Sequence, residues 1–481
     1  MLLQRFYDDA LAQASYLVGC EQCGEALVVD PNRDVAQYLD AAAAHGMRIA
    51  WVTETHIHAD FVSGSLELAR RTGATLLLSA MGGPDWQYAF AAREGAELLR
   101  EGSIIQIGNV RVDVIHTPGH TPEHLPFLVT DTAAADQPMG AFTGDFIFVG
   151  DVGRPDLLER AAHQAGTMER SARELYASLE RFALRPDYLQ LWPGHGAGSA
   201  CGKALGAVPQ TTLGYEKKFN WAFNSAGVEP FVSLVLAGQP EPPAYFAEMK
   251  RVNRAGPRLL GELHPPERLP ASRLHEVLAS GALVVDTRHA ADFAAGHVPG
   301  VINIPLNRSF TTWAGWLVPY DRDLYLIVSG DEHLGSAARA VRQLAMIGLD
   351  RVAGYFGDDI LPAWLQSDRV LEIVPQMTPR ETRDRLARGE ITVLDVRAQA
   401  EWDEGHIKGA QLVPLGQLAA RVAQLHDGRP IVVHCQGGGR SSIAASVLLA
   451  SGVKDVLNLG GGMDAWRGAG FDVERDGSLA R

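Results

Sequence analysis

Short apolar runs separated by polar loops dominate the first half of the chain. Four of these runs are too short for helices, which predicts buried β-strands, and they cover residues 47–52, 110–115, 140–142 and 188–192. Residues 15–30 predict two further strands joined by a turn, and the alanine-rich segment 35–45 predicts a helix. Repeated alternation of strands with helices indicates a layered α/β domain.

A polar motif follows directly after the first of these runs. In TETHIHADFVSG, His56, His58 and Asp60 stand at every second position. Because side chains two residues apart on an extended chain point the same way, both imidazoles and the carboxylate lie on one side of the chain. Three further polar residues that follow apolar runs are His120 in HTPGHT, Asp145 in FTGD and His195 in WPGHG. Together these residues predict a metal site, since histidine and carboxylate side chains are common metal ligands.

This pattern resembles the HxHxDH motif of the metallo-β-lactamase superfamily, in which a His, an Asp and a His follow from later loops. The resemblance covers residues 1–250 and implies an αββα sandwich. Members commonly bind two metals, but Phe61 stands where the second-site histidine belongs, and a phenyl ring offers no lone pair. His56, His120 and Asp145 remain as a set of two histidines and one carboxylate, which is typical of non-haem Fe(II) sites that activate oxygen.

A second motif narrows the resemblance to persulfide dioxygenases. These enzymes carry a G-R-[TP]-D run whose arginine binds the carboxylate of the thiol carrier, and GDVGRPDL places Arg154 at this position. A guanidinium suits that task because it holds a carboxylate by two parallel hydrogen bonds. An ion pair with Asp151 or Asp156 that stabilises the fold is the alternative.

The segment after His195, GSACGK, resembles the persulfide dioxygenases that are fused to sulfurtransferase domains. Cys201 in this segment is predicted to contact the substrate. The tyrosine that follows the histidine in glutathione-dependent members is absent, so glutathione, coenzyme A or another carrier thiol stays open. The resemblance implies that His58, Asp60 and His195 surround the metal and orient its ligands or the substrate.

Cysteine usage indicates reduced thiols. Four cysteines in 481 residues do not form a disulfide framework. Cys20 and Cys23 make a CxxC pair, but no second pair completes a structural zinc site. Ordinary thiols in a strand turn and a redox or sulfur-carrying role both stay open for these two residues.

The second half of the chain contains an internal repeat with an offset of 109 residues. VVDTRHAADFAAGHVPGVINIPL matches VLDVRAQAEWDEGHIKGAQLVPL, so that Asp286 corresponds to Asp395 and His297 to His406. A match of this length at constant spacing indicates a duplicated domain. Both copies resemble rhodanese domains through the pattern D-x-R, GH-[IV]-x-G and a following proline.

A chain of this length is expected to contain about three domains. We expect a metallo-β-lactamase-fold persulfide dioxygenase domain at 1–250 and two rhodanese-like α/β domains at 262–370 and 374–481. The fold class is thus a multidomain α/β and α+β protein, an αββα sandwich followed by two rhodanese-like domains. Proline-rich segments at 238–243 and 264–270 predict the connection between them.

The two copies differ where rhodanese chemistry takes place. In the second, PIVVHCQGGGRSS predicts a strand, the catalytic Cys435, a glycine-rich loop with Arg440 and then a helix. Inward-pointing amides, a helix N-terminus and a guanidinium favour anionic sulfur, so the pKa of this thiol is expected below its ordinary value of about 8.5. In the first copy, Ser329 and Gly330 replace His434 and Cys435, which predicts a catalytically silent spacer or docking domain.

Composition excludes several classes of partner. A net charge of −14 and a pI near 5.6 argue against binding to nucleic acid or to an anionic membrane. No apolar run approaches the roughly 18 residues that span a bilayer. The N-terminal sequence MLLQRFYDDALAQ lacks the apolar core of a secretion signal, so a cytoplasmic, bacterial protein is expected.

The resemblance implies an enzyme that oxidises a small thiol persulfide with O2 to sulfite at one Fe(II). Cys435 would then exchange sulfur with sulfite or thiosulfate, in a direction set by concentrations, and the protein would clear sulfide-derived sulfur. A homo-oligomer, dimer or tetramer, is expected. The alternatives are a hydrolase that resembles glyoxalase II, with a metal-bound hydroxide that cleaves a thioester, and a non-enzymatic sulfur relay.

Overall fold

The computed structural model describes residues 1–160, 166–203, 205–239, 241–329, 333–425 and 428–475. Three predictions fall on residues outside these ranges: the replacement at Gly330, Pro240 of the proline-rich connection, and the C-terminal end of the last domain. The chain divides into two compact units, of which the first comprises Met1–Leu263 with Ala345–Gly348. The second comprises the rest of the chain.

Two six-stranded sheets form the centre of the described first unit. The first sheet follows the order of the sequence, with β1 (Leu2–Asp8), β2 (Gln13–Cys20), β3 (Glu25–Val29), β4 (Arg48–Thr53), β5 (Thr75–Ser79) and β6 (Glu97–Leu99). The second runs in reverse order from β12 to β7, with β7 (Ile104–Ile107), β8 (Val110–Val114), β9 (Phe127–Asp131), β10 (Gly140–Gly144), β11 (Gln190–Pro193) and β12 (Thr211–Thr212). Strands β3, β4, β5 and β6 pair in parallel, each with the next, and β10 pairs in parallel with β11.

Helices cover the outer faces of both sheets. They are α1 (Ala36–Ala44), α2 (Ser65–Thr72), α3 (Leu157–Arg160), α4 (Met168–Phe182), α5 (Leu213–Phe219), α6 (Val228–Leu236) and α7 (Tyr245–Ala255), with 3₁₀ turns at Pro84–Trp86 and Trp221–Phe223. One apolar core lies between the sheets. A second lies under α1 and α2, and a third under α4 and α6. The predicted αββα sandwich is therefore confirmed.

The apolar runs predicted the strands that carry the site. The runs that begin at 47, 110, 140 and 188 correspond to β4, β8, β10 and β11. Helix α2 begins at Ser65 behind Gly64 and has no side-chain cap. The Ser63 hydroxyl donates to the buried carboxylate of Glu54 at 2.6 Å.

The first compact unit includes the residues after 250 as far as Leu263. Asn253 on α7 donates to the carbonyl oxygens of His58 and Phe61 at 2.8 and 2.7 Å. The carboxylate of Glu67 accepts from the backbone of Leu260 and Gly261. These bonds hold the segment after 250 against the motif loop.

The second unit contains two parallel sheets, one for each copy of the repeat. The first has the order β14-β13-β15-β16, with β13 (Leu283–Asp286), β14 (Ile302–Asn303), β15 (Leu324–Ile327) and β16 (Val352–Phe356). Its helices are α8 (Leu274–Ala279), α9 (Ala290–Ala295), α10 (Phe310–Leu317), α11 (His333–Met346) and α12 (Ile360–Gln366), with a 3₁₀ turn at Ala271–Arg273.

The second copy has the strand order β17-β21-β20-β18-β19. Its strands are β17 (Gln376–Met377), β18 (Thr392–Asp395), β19 (Gln411–Leu412), β20 (Ile431–His434) and β21 (Val456–Leu459). Its helices are α13 (Pro379–Ala387), α14 (Gln399–Asp403), α15 (Leu415–Leu425), α16 (Gly439–Ala450) and α17 (Gly462–Gly468). No helix in the described ranges combines the length and apolar character needed to cross a bilayer.

Equivalent residues make the same side-chain contacts in both copies. Behind β13, Arg288 pairs with Asp286, and behind β18, Arg397 pairs with Asp395, with both pairs buried. The ring of His297 stacks on Phe293 at 3.8 Å. In the second copy, the corresponding His406 and Trp402 stack at 3.6 Å. The two copies therefore share side-chain contacts as well as sequence, which supports the duplication inferred from the sequence.

Candidate metal centre and thiol site

The ends of three strands bring the predicted metal triad together. His56 follows β4, His120 follows β8, and Asp145 follows β10 directly. One ligand atom from each lies within 4.8 Å of the others, and all three side chains are buried. Asp145 Oδ2 lies 3.9 Å from His56 Nε2 and 3.5 Å from His120 Nε2. These distances leave room for one ion between the three atoms.

Neighbouring groups fix which nitrogen of each histidine faces the metal position. Thr55 Oγ1 donates to Asp30 Oδ2 at 2.9 Å, so it accepts from His56 Nδ1 at 3.0 Å. His120 Nδ1 donates to the carbonyl oxygen of Arg154 at 3.0 Å. With both Nδ1 atoms carrying the proton, the Nε2 lone pairs are available to a metal. Burial also lowers the pKa of both rings, which keeps them neutral.

The two oxygens of the Asp145 carboxylate have different surroundings. Its Oδ1 accepts from His195, while Oδ2 is buried and has no hydrogen-bond partner among the described residues. Burial opposes ionisation, but the charge and the hydrogen bond of His195 outweigh it and hold the pKa of this carboxyl well below its usual range. A buried, ionised oxygen without a partner costs several kcal/mol unless a cation is bound. Asp145 Oδ2 therefore fits a metal ligand.

His195 is held between two carboxylates. It donates from Nδ1 to Asp145 Oδ1 and from Nε2 to Asp60 Oδ2, each at 2.7 Å. Burial disfavours the charged ring, but Asp145 and Asp60 outweigh it and raise the pKa of His195 well above its ordinary value. A doubly protonated imidazole has no lone pair for a metal. These two hydrogen bonds fix the orientation of His195 against the Asp145 carboxylate.

His58 is turned away from the triad. Its Nε2 lies 3.0 Å from Asp30 Oδ1, and its ring packs on Phe61 with a centroid distance of 4.4 Å. Burial lowers the pKa of His58, but Asp30 and other carboxylates outweigh this and raise it to about 9. His58 packs against the ring of His56 with a centroid distance of 4.3 Å and lies outside the group of three ligand atoms.

Arg154 forms the ion pair that was left open as the alternative to carrier binding. Its Nε and Nη2 donate to the two oxygens of Asp156 at 2.8 and 2.7 Å, and Nη1 donates to the carbonyl oxygen of Ala200. The side chain is completely buried. To bind a substrate carboxylate, Arg154 would have to release Asp156.

Cys201 lies beside the metal centre on the loop that Arg154 holds. The Cys201 sulfur and one ligand atom each of Asp60 and His195 lie within 4.8 Å of one another. Burial and the charges of Asp60 and Asp145 raise the pKa of the Cys201 thiol well above its ordinary value. The thiol is therefore neutral, and Asp60 and His195 are already hydrogen-bonded to each other.

Several residues that organise the centre were not predicted from the sequence. Asp30 accepts from Thr55 and His58, and the sequence offers only the hint that it ends an apolar strand. His124 Nε2 accepts from the backbone of Asp145 at 3.2 Å. A second histidine four residues after His120 was the available signal. The carboxylate of Glu123 accepts from the backbone of Ile57 at 2.8 Å.

The thiol of Cys435 lies where the sequence predicted it, between β20 and α16. The backbone N–H of Gly438 donates to its sulfur at 3.1 Å, and Ser441 Oγ lies 3.7 Å away. Gly438 caps α16 in the left-handed region at φ 105°, a conformation that glycine adopts readily. A twelve-residue helix thus points its N-terminus at the sulfur.

Arg440 does not have a free guanidinium. Its two terminal nitrogens donate to Glu401 at 2.6 and 2.7 Å. The pair is half-buried, and its formal charges cancel. In the first copy, the described residue Ser329 provides no thiol at the end of β15.

The CxxC pair lies in the turn between β2 and β3. Cys20 is buried and Cys23 is exposed. The backbone N–H of Asn109 donates to Cys20 Sγ at 3.3 Å. This bond is the main cause of a lowered pKa for Cys20.

Comparison with known proteins agrees with this architecture. The model of the metallo-beta-lactamase superfamily matches residues 8–195, and the model of the rhodanese-like domain matches residues 270–357 and 378–469. A crystal structure of a metallo-beta-lactamase from Staphylococcus aureus is 42% identical, with a TM-score of 0.68. The alignment covers 74% of this chain and 99% of that one. The chain belongs to the metallo-beta-lactamase superfamily and carries two rhodanese-like domains behind the superfamily domain.

Curated relatives of the first domain have different activities. A hydroxyacylglutathione hydrolase from Nitrosococcus oceani is 30% identical over 198 residues, 40% of this chain and 66% of that one. A mitochondrial persulfide dioxygenase from Bos taurus is 28% identical over 201 residues, 40% of this chain and 68% of that one. Domains of enzyme families thus form both parts of the chain, and the first carries groups that could hold a metal ion.

Proposed function

We propose that this protein oxidises a low-molecular-weight thiol persulfide with O2 to sulfite at a single iron(II), and that it transfers sulfur through Cys435. The observation that carries the proposal is the triad of His56, His120 and Asp145, with one unpaired carboxylate oxygen and two oriented imidazoles. Two histidines and one carboxylate leave three octahedral positions open, as non-haem iron oxygenases require. When bound, iron(II) would supply the oxygen chemistry that amino-acid side chains lack.

The chain's own residues hold and orient the site. His56 and His120 present neutral Nε2 atoms, and Asp145 presents Oδ2. His195 and Asp60 fix the carboxylate of Asp145 from behind. A second metal would need ligands at the positions of Phe61 and His195. Phe61 has no lone pair, and His195 is doubly protonated, so we expect a single metal.

The substrate is expected to approach from the side of Cys201. This neutral thiol next to Asp60 can contact a persulfide without the repulsion that a thiolate would cause. In this proposal, Arg154 acts chiefly through its carbonyl oxygen, which orients His120. Binding of the carrier carboxylate by the Arg154 side chain is the less favoured role, because it requires the Asp156 pair to open.

Sulfur transfer takes place at the second copy. The Cys435 thiolate attacks the outer sulfur of R–S–S–H, the S–S bond breaks, and R–S⁻ leaves with the proton as R–SH. Attack of sulfite on the outer sulfur of the Cys435 persulfide then gives thiosulfate and restores the thiolate. The Gly438 amide and the α16 N-terminus stabilise the anion in both steps. Arg440, paired with Glu401, fixes the loop.

A thioester hydrolase is the second candidate. It is favoured by the similarity to the hydroxyacylglutathione hydrolase and by the group of Asp60, His195 and Cys201, which could hold another ion if His195 released its protons. Fusion to a domain with a reactive thiol favours the dioxygenase, because the product of one site is the acceptor of the other. A pure sulfur relay would leave the buried triad without a role.

Metal analysis combined with oxygen uptake separates these functions. With glutathione persulfide or coenzyme A persulfide as substrate, we expect about one iron per chain, consumption of O2 and formation of sulfite. Zinc with thioester hydrolysis and no oxygen uptake would establish the hydrolase, and the absence of both activities would favour the relay. Asp145→Ala should lose the metal and the oxygen uptake, whereas Asp40→Ala on the exposed face of α1 should lose neither.

The proposal includes a dimer or tetramer of the chain in the cytoplasm. The domain boundaries at 1–250, 262–370 and 374–481 likewise stay predictions. Size-exclusion chromatography with light scattering measures the oligomeric state directly.

A further inference from the structure

The thiol of the second copy opens into a cavity that the silent first copy completes. This cavity of about 1000 Å³ lies within the second unit. On one side it is lined by Cys435, Gly437–Gly439 and Arg440. The opposite side belongs to the first copy, from α9, the loop after β14 and α10, and its main residues are Ala291, Ala294, Asn307 and Trp313.

Contacts between the copies fix this second wall. The backbone N–H of Asn303, on β14, donates to Ser446 Oγ, on α16, at 2.9 Å. The indole of Trp316 packs so closely on Gly416 that a Cβ at that glycine would overlap the ring. Because α16 also starts at the Cys435 loop, the first copy holds a defined position relative to the sulfur.

The size and lining of the cavity point to an organic ligand. Thiosulfate and sulfite fill a small part of a volume at the upper end of about 300–1000 Å³, the range of sites for organic ligands. Alanines of α9 and the indole of Trp313 make much of the wall apolar. The charge of Arg440 is paired with Glu401. Asn458 adds a buried acceptor, Oδ1, without a hydrogen-bond partner among the described residues.

We propose that the first rhodanese-like copy is the binding subsite for the organic part of the thiol persulfide that delivers sulfur to Cys435. This part is a slender, uncharged arm with an amide N–H, which matches an apolar wall and the free acceptor of Asn458. Only 1% of Cys435 is exposed, so a thin arm reaches the sulfur where the surface of a partner protein does not. The inference rests on the proposed sulfur transfer.

During transfer, the wall of the first copy holds the leaving group. The Cys435 thiolate takes the outer sulfur of R–S–S–H, and R–S⁻ departs with the proton as R–SH while its arm stays against Trp313. An inorganic donor such as thiosulfate makes the same Cys435 persulfide and releases sulfite, but it has no arm. The first copy should therefore matter for organic donors alone.

The test is carried out without oxygen. Mass spectrometry of the peptide that contains Cys435 measures how fast this residue gains one sulfur atom. The donors are pantetheine persulfide, which carries an uncharged arm with amides, and thiosulfate. Ala291→Phe introduces a ring into the cavity at an exposed position of α9, and Asp292→Phe places the same ring on the adjacent residue, which does not line the cavity. We expect Ala291→Phe to slow loading from pantetheine persulfide by about tenfold or more and from thiosulfate by less than about twofold.

Asp292→Phe should load from both donors like the wild type. Trp313→Ala is the second variant, and it should raise the concentration of pantetheine persulfide needed for half-maximal loading without changing the thiosulfate reaction. Equal slowing of both donors by Ala291→Phe, or no slowing of either, would overturn the subsite; the latter result would point to a protein donor. If the wild type is loaded by neither donor, sulfur transfer at Cys435 itself is refuted. Because no oxygen is present, failure of the iron chemistry does not affect the result.

Discussion

At the scale of single residues, the metal centre depends on groups outside the triad of His56, His120 and Asp145. Asp30 accepts from the backbone and hydroxyl of Thr55 and lies against His58. Through Thr55 Oγ1 it determines that His56 presents Nε2 to the site. Neither Asp30 nor Thr55 was among the predicted site residues, because each acts only through hydrogen bonds that the fold creates.

We predict that Thr55→Val weakens metal binding. The valine keeps the shape of threonine but cannot accept from His56 Nδ1, so the ring loses the partner that fixes its orientation. Loss of such a partner typically lowers metal affinity by about 10–100-fold. Competition with a chelator measures this affinity, and Thr55→Ser, which restores the hydroxyl, should recover it. Unchanged affinity in the valine variant would remove Thr55 from the site.

Glu123 gives the first unit a pH dependence. Burial raises the pKa of its carboxyl from 4.5 to about 7 in the folded protein. The folded state then binds the proton more tightly than the unfolded chain, so this group destabilises the fold as the pH rises from 4.5 to about 7. Glu123→Gln keeps an acceptor for Ile57 without the charge and should flatten the fall in thermal midpoint over this range. A fall as steep as in the wild type, or an equal effect from the exposed Glu97→Gln, would contradict this assignment.

At the scale of elements, local patterns predicted the strands better than the details of the site. Apolar runs predicted β4, β8, β10 and β11, because a buried strand needs apolar side chains along its length. Six polar residues follow strand-like runs in the sequence, and the resemblance to the metallo-β-lactamase superfamily selected His56, His120 and Asp145 among them. The pairing of Arg154 with Asp156, and of His195 with two carboxylates, could not be predicted from spacing. Those contacts depend on loops that meet only in the folded chain.

The repeated ion pair behind β13 and β18 is a structural element of both copies. In the second copy, Arg397 binds both oxygens of Asp395 and donates to the carbonyl oxygen of Gly405 at 2.9 Å. Arg397→Met should lower the free energy of unfolding by about 3–5 kcal/mol, because it leaves a buried carboxylate without its partner. Urea denaturation followed by tryptophan fluorescence measures this loss. The exposed Arg380→Met is the control, and a loss equal to that of the control would contradict the role of the pair.

At the scale of the whole molecule, the two proposed reactions are assigned to separate compact units. The triad belongs to the first unit and the reactive thiol to the second. On the proposed function, sulfite and the carrier thiol are small and soluble, so each site could complete its reaction without the other. The duplicated half of the chain contributes one reactive thiol and, on our inference, one binding wall.

We predict that Cys435→Ser abolishes sulfur transfer and leaves oxygen uptake with a thiol persulfide close to the wild-type rate. A serine hydroxyl cannot form a persulfide, whereas the metal ligands are untouched. Thiosulfate formation and oxygen consumption, measured on the same sample, provide the two readouts. Loss of oxygen uptake in this variant would show that the two sites do not work independently.

The number and identity of the metal ions in the first unit test the account most directly. Anomalous X-ray scattering from crystals, recorded at the iron and zinc absorption edges, locates each ion and identifies its element. We predict one iron between His56, His120 and Asp145, with Phe61 packed against His58. A second ion bound by Asp60, His195 and Cys201, or zinc in place of iron, would contradict the account.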